Sequence, residues 1–168
     1  MLKLENISAG FKLKAIFKNV NFELLPNSKI LVSGAPKTGK TTLLQTAAGF
    51  IPPISGCVFF NYMPITEYNK RFLNNKICFI KQDILPEQKL KAIKKALNSN
   101  FEYVIIDEPF AFLSSKLSAE LQLMFQKYKG GLLISETSFE ISDRKGFEVF
   151  RLSEHKKTAL SKENAVYN

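Results

Sequence analysis

One stretch decides the fold: Lys29-Ile30-Leu31-Val32-Ser33, followed by Gly34-Ala35-Pro36-Lys37-Thr38-Gly39-Lys40-Thr41-Thr42. The first five residues read as a short apolar strand. The next eight match the spacing GxxxxGK[ST], in the strand-to-helix context that the motif requires. Its small residues let the backbone curl until its N–H groups face phosphate oxygens. A helix predicted over Thr41–Ala48, closed by Gly49, adds a favourable dipole at its N-terminus. Lys40 is placed to reach β- and γ-phosphates, and the Thr41 hydroxyl to ligate Mg²⁺. Lys37 stands where glycine is frequent. It adds positive charge and is expected to stiffen the loop. The alternative is a chance Gly-Lys-Thr in a loop, which the flanking strand and helix argue against.

Further along, Tyr103-Val104-Ile105-Ile106-Asp107-Glu108-Pro109 reads as a buried strand with two carboxylates at its C-terminal end. In a parallel sheet that end faces the ligand crevice. Asp107 would hold Mg²⁺, directly or through water, and Glu108 would polarise an attacking water. On its own, Asp-Glu-Pro after a strand could be only a turn. Following a phosphate loop in this order, it points to a nucleotide site.

The rest of the chain fits around these two elements. Strands are predicted over Leu2–Ser8, Val20–Leu25, Cys57–Tyr62, Lys76–Ile80, Leu132–Ser135 and Phe147–Leu152. Ile51–Gly56, with its prolines, reads as a turn. Lys89–Leu97 carries Leu90, Ile93 and Leu97 at helical spacing, and Ser115–Tyr128 is a second amphipathic helix ended by Gly130-Gly131. Strands alternating with helices give an α/β sheet with an added β layer at the start. The expected organisation is one domain over residues 1–152 and a polar, loose tail over 153–168.

Composition narrows the partners. The chain has 168 residues, 45% of them hydrophobic, and a formal net charge of +9. Its lysines are scattered apart from short clusters such as Lys89, Lys91, Lys94 and Lys95. No basic stripe interleaved with aromatics appears, so a solvated surface is favoured over nucleic-acid binding, with a modest attraction to acidic lipid second. No apolar run reaches the ~18 residues of a membrane span. The residues after Met1 lack an apolar signal region. A cytoplasmic location is expected, at the inner face of the cell membrane, with membrane contact only through a partner or the surface. Cys57 and Cys78 read as reduced core thiols, and a single His155 cannot support a zinc site of the usual kind.

Taken together, the phosphate loop, a Gln after a strand, and apolar-Asp-Glu-Pro resemble the ATP-binding subunit of an ABC transporter. The resemblance covers most of residues 1–152. It implies a P-loop NTPase fold with an N-terminal antiparallel β layer, ATP and Mg²⁺ as ligands, and a transmembrane subunit with a second ATP-binding subunit as partners. Phe11, 23 residues before Gly34, stands where that family stacks an aromatic on adenine. Gln82, in Phe72-Leu73-Asn74-Asn75-Lys76-Ile77-Cys78-Phe79-Ile80-Lys81-Gln82-Asp83, is similar to the family's glutamine that senses Mg²⁺ and the transmembrane partner. Ala92–Asn100 resembles the helix before the acidic strand. Within the family, Phe72-Leu73, Ile77 and Gln82-Asp83 are similar to the cell-division ATPase FtsE and its relatives.

The departures from the family are as informative. Only 24 residues separate Gln82 from Asp107, where the family inserts a helical subdomain several times longer. That subdomain carries much of the docking surface for membrane subunits. The signature loop, LSGGQ in the family, is replaced by Ile84-Leu85-Pro86-Glu87-Gln88-Lys89-Leu90-Lys91. It offers no hydroxyl, and Glu87 would bring negative charge toward a phosphate on an opposing subunit. Glu136 stands where the switch histidine is expected, and a carboxylate cannot donate to a phosphate unless protonated. Ser114 replaces a usual Asp. Losing one preorganised stabilising group costs roughly 3–4 kcal/mol of transition-state binding. Nucleotide binding is therefore expected to survive better than hydrolysis.

The expected function is an ATP-binding subunit of a membrane complex with weak or partner-dependent hydrolysis. Glu108 and Lys40 would be catalytic; Thr41, Gln82 and Asp107 would attend the metal; Phe11 and residues 34–42 would bind nucleotide. A non-hydrolysing, nucleotide-dependent scaffold is the rival reading. A small P-loop kinase is disfavoured because the only arginines, Arg71, Arg144 and Arg151, do not form a paired lid.

Overall fold

The computed structural model describes residues 1–11, 14–66, 70–137 and 146–152. The expectation of a loose tail over 153–168 falls outside these residues, as does His155. Among the described residues, nine strands and four helices follow in chain order: β1 Leu2–Phe11, β2 Lys14–Leu24, β3 Lys29–Ser33, α1 Lys40–Ala47, β4 Ser55–Phe60, β5 Met63–Pro64, α2 Lys70–Leu73, β6 Ile77–Ile80, α3 Pro86–Leu97, β7 Tyr103–Ile106, α4 Ser115–Lys127, β8 Gly131–Glu136 and β9 Glu148–Arg151.

The strands form two sheets. An antiparallel sheet has the order β2-β1-β4-β5, and a parallel one the order β6-β7-β8-β3-β9. The expected β layer is thus present, with the hairpin β1–β2 as its main part. β2 begins at Lys14, six residues before the strand expected from Val20. Pairing with β1 overrides the weak local pattern there, for instance at Ala9 opposite Phe17. Asn6 and Asn19 lie in the left-handed region (φ 52° and 54°) beside register shifts in this hairpin, a conformation asparagine tolerates better than most residues.

Successive side chains of a strand point to opposite faces, and the parallel sheet uses both faces as core. Ile30, Val32, Tyr103, Ile105 and Leu133 pack with the antiparallel sheet and with Leu43, Leu44 and Ala47 of α1. Leu31, Val104, Ile106, Leu132 and Ile134 pack with Ile93 and Ala96 of α3 and Leu121 and Phe125 of α4. This two-sided burial accounts for the near-continuous apolar runs of β3, β7 and β8. Truncating one such residue to Ala typically costs about 2–5 kcal/mol.

α1 ends on Ala48, and the left-handed Gly49 (φ 78°) follows it. The Gly49 and Phe50 N–H groups close the last turn on Thr46 and Gln45, as expected of a glycine stop. α3 begins at Pro86, three residues before the predicted start. Proline suits a first turn because its missing N–H has no partner there anyway. The whole interval from Gln82 to Asp107 is filled by α3, β7 and their short connections, so no helical subdomain is inserted there. Cys57 and Cys78 are free and half-buried rather than fully buried, and burial pushes both thiols up in pKa. Among the described residues no helix is long and apolar enough to cross a membrane.

Candidate nucleotide-binding site

Neighbouring parallel strands end on one edge, so the loops that follow them meet. In the order β6, β7, β8, β3 these loops bring Gln82, then Asp107 and Glu108, then Glu136 and Thr137, then the phosphate loop. They enclose an open cavity of about 590 Å³. Pro36, Lys37, Gly39, Lys40, Thr41 and Thr42 line one side, and Gln82, Glu108 and Thr137 face them.

The loop curls as its sequence requires. Lys37 and Gly39 take left-handed conformations (φ 62° and 100°). At Gly39 a Cβ would lie 2.8 Å from Ile16 Cγ2 and 3.0 Å from Phe17 Cδ1, so a side chain is excluded twice over. The Thr38 hydroxyl donates to Ala35 O at 2.9 Å. Gly34 lies against Thr38, whose Oγ1 would be 2.8 Å from a Cβ there. Buried Lys40 donates from Nζ to Gly34 O at 2.8 Å and Ala35 O at 3.1 Å. The loop thus folds around its own ammonium group. Burial pushes the Lys40 pKa down, and the fields of Glu108, Asp107 and Glu136 partly restore it.

Across the cavity, Asp107 is almost wholly buried. Thr41 Oγ1 donates to its Oδ2 at 2.7 Å, and Ser135 Oγ donates to its Oδ1. Two hard oxygens held together suit Mg²⁺, which commonly binds through one or two protein oxygens plus phosphate and water. Among the described residues no group of three or more His, Cys, Asp or Glu side chains gathers to hold a metal. Gln82 reaches the site through Glu108, donating from Nε2 to Oε2 at 2.8 Å. Thr137 Oγ1 donates to the other Glu108 oxygen, Oε1.

Glu108 sits in a left-handed turn (φ 48°) that is tied from both sides. Its N–H donates to Ser135 Oγ at 3.0 Å, and its carbonyl accepts from Lys89 Nζ at 2.9 Å. Two residues on, the Phe110 N–H donates to Glu136 Oε1 at 3.3 Å. Glu136, expected from the resemblance to stand where the switch histidine would be, is thus buried against this turn. Ser114 caps α4, accepting from the Leu117 N–H at 3.4 Å. Glu87 is exposed in the first turn of α3, where a carboxylate favours the helix dipole.

The sequence reading missed Lys89, Ser135, Thr137 and Ile16. Lys89 had been counted with the solvated lysines; the structure corrects this, since its side chain is 4% exposed. A signal existed: Lys89, Ile93 and Ala96 fall on one helical stripe, and all three are buried. Ile16 touches the cavity beside Gly39. Phe11 ends β1 opposite Lys14; its side chain, expected on adenine, lies outside the described residues.

Comparison with known proteins places the chain among similar sequences and folds. Residues 17–92 match the family model described as "ABC transporter". The cytochrome c biogenesis ATP-binding export protein CcmA of Wolbachia pipientis is 43% identical over 77 residues, which are 46% of this chain and 37% of that relative. The match thus spans well under half of the relative's length. An ATP-binding protein of a putative ABC transporter from Pyrococcus furiosus superposes with a TM-score of 0.73 at 15% identity, covering 92% of this chain and 98% of its own. A dimeric ATP-binding cassette in a post-hydrolysis state, bound to ADP and Pi, superposes at 0.73 and 17% identity, covering 90% of this chain and 94% of its own. At these identities the structural likeness shows the fold alone. The chain is thus similar to ABC transporter ATP-binding proteins in sequence across residues 17–92, and it shares the fold of ATP-binding cassettes across most of its length.

Proposed function

We propose that this protein is the ATP-binding subunit of an ABC-transporter-type membrane complex, binding MgATP through its phosphate loop, with weak or partner-dependent hydrolysis. The observation that carries the reading is the convergence of Lys40, Thr41 and the Gln82–Glu108 pair on one cavity, with Asp107 buried behind Thr41 and bonded to it. The family match and the fold support it.

In this reading Lys40 exchanges its contacts with the Gly34 and Ala35 carbonyls for β- and γ-phosphate oxygens. Backbone N–H groups of residues 34–42 would face the same phosphates. Thr41 and Asp107 would hold Mg²⁺, which supplies charge neutralisation to the phosphates. Ile16, Phe11 or both would border the base. Glu108 would accept a proton from the attacking water as its oxygen bonds to the γ-phosphorus and the bond to the β-phosphate oxygen breaks. The partners would be a transmembrane subunit and a second ATP-binding subunit, at the cytoplasmic face of the membrane. A transmembrane subunit would have to dock without the helical subdomain.

One observation favours the second reading, a non-hydrolysing nucleotide-dependent scaffold. Both Glu108 oxygens already accept hydrogen bonds, from Gln82 and Thr137. These bonds take one lone pair of each oxygen and fix the carboxylate's direction, so an attacking water would have to reach the remaining ones. The discriminating experiment is single-turnover hydrolysis of ATP by the purified chain, alone and with its membrane fraction, against Glu108→Gln. Turnover lost in the variant supports an ATPase. MgATP binding with no turnover under any condition supports the scaffold. Absence of binding rejects both.

A further inference from the structure

Lys89, with 4% of its surface exposed, lies on the buried face of α3 beside Ile93 and Ala96, while the other lysines of the helix are more exposed. Lys and Glu are almost never fully buried unless paired. Lys89 enters the site from α3, in the short interval that replaces a helical subdomain, and its one direct contact described is the carbonyl of Glu108. Burial lowers its pKa, while the fields of Asp107, Glu108, Glu136 and Asp83 act to keep it charged. Taking an ammonium out of water costs several kcal/mol unless opposite charge compensates. Here the compensation comes from the carboxylates that gather at the ends of β7 and β8. Conversely, Asp107 and Glu136 are themselves buried, and Lys40 faces them from the phosphate loop.

We propose that Lys89 is the built-in counter-cation of the acidic turn: from α3 it holds Glu108 O, offsets the charge of Asp107, Glu108 and Glu136, and keeps the turn assembled when no metal is bound. Lys89 is thus a positioning residue, acting through the Glu108 backbone. An ammonium beside a divalent-cation site repels that cation. It therefore sets the empty site to bind metal weakly, so that metal enters together with nucleotide phosphate. The inference rests on the reading of Asp107 as the metal-bearing carboxylate, but not on any turnover.

The test is Mn²⁺ binding, followed by electron paramagnetic resonance, to the nucleotide-free chain and to Lys89→Gln, Lys89→Arg and Lys91→Gln. Gln retains a donor for Glu108 O without the charge, and Lys91 is an exposed neighbour on the same helix. The expected result is about tenfold tighter Mn²⁺ binding in Lys89→Gln, equivalent to ~1.4 kcal/mol. Lys89→Arg and Lys91→Gln should stay within about twofold of the parent. The thermal midpoint of Lys89→Gln should also fall without metal and recover with added Mn²⁺, and that of Lys91→Gln should do neither. If Lys89→Gln does not fold, metal-dependent recovery of folding supports the proposal and its failure overturns it. Unchanged Mn²⁺ affinity in a folded Lys89→Gln, or tightening equal to that of Lys91→Gln, overturns it too. ATP binding measured on the same samples reports separately on the proposed function.

Discussion

The phosphate loop and the acidic turn face each other across one cavity, yet they are held in opposite ways. Up to Lys40 the loop bonds mainly to itself: Thr38 bonds Ala35, and Lys40 bonds Gly34 and Ala35, all within six residues in sequence, and Thr41 at its end crosses to Asp107. The acidic turn is held by distant residues: Ser135 and Glu136 from β8, Lys89 from α3, and Gln82 after β6. A local motif keeps its shape when the surroundings change. A turn assembled from three elements can be rebuilt as those elements vary. This chain retains a complete phosphate loop, while around the acidic turn it carries its own solution.

The largest effect that sharpens this contrast is on chemistry. Glu108→Gln should lower any single-turnover rate by about 10²–10³, the usual cost of one preorganised group, and leave MgATP affinity within about twofold. A comparable loss of binding would mean that the turn and the loop are not separable. Next in size is stability. Ser135→Ala removes the donor to Asp107 Oδ1 and the acceptor of the Glu108 N–H at once, which should cost about 1–3 kcal/mol in urea unfolding. Thr38→Val removes a single local bond in the phosphate loop and should cost about 0.5–1.5 kcal/mol. Equal losses, or a reversed order, would break the comparison.

Smaller effects come from the opposite end of the sheet. Tyr128 donates to Phe101 O at 2.7 Å, and burial pushes its hydroxyl up to about 12. An unfolded tyrosine ionises near pH ~10. The Tyr128 contribution is therefore complete below about pH 10 and is lost as pH rises through about 12. Tyr128→Phe should flatten that alkaline limb of the stability curve. The Tyr103 hydroxyl is buried without a hydrogen-bond partner among the described residues. Tyr103→Phe should be neutral or stabilising by up to about 1 kcal/mol, because an unsatisfied polar group is removed. Destabilisation would point to a bridging water.

How much was legible follows from the same contrast. The phosphate loop, the Asp107-Glu108 pair and the alternating strands were readable because their signals are local: motif spacing, an apolar run with an acidic end, a stop at Gly49. The short interval between Gln82 and Asp107 was readable by counting. What remained hidden depends on packing. Lys89 looks like any helix-surface lysine until α3 docks over the end of β7. Ser135 looks like the polar end of a strand until parallel register sets it beside Asp107. Thr137 gains a role only because the C-terminal ends of β7 and β8 are neighbours. Glu136 was expected as a lost donor; the structure gives it a use as an acceptor for Phe110 N–H.

The most direct test of the account is calorimetric titration of ATP into the purified chain, with and without Mg²⁺, beside Lys40→Ala. The account predicts Mg²⁺-dependent binding in the parent. It predicts a loss of at least about 30-fold in the variant, since truncating a buried charge partner costs about 2–5 kcal/mol. Equal binding by both chains, or none by the parent under either condition, would contradict it.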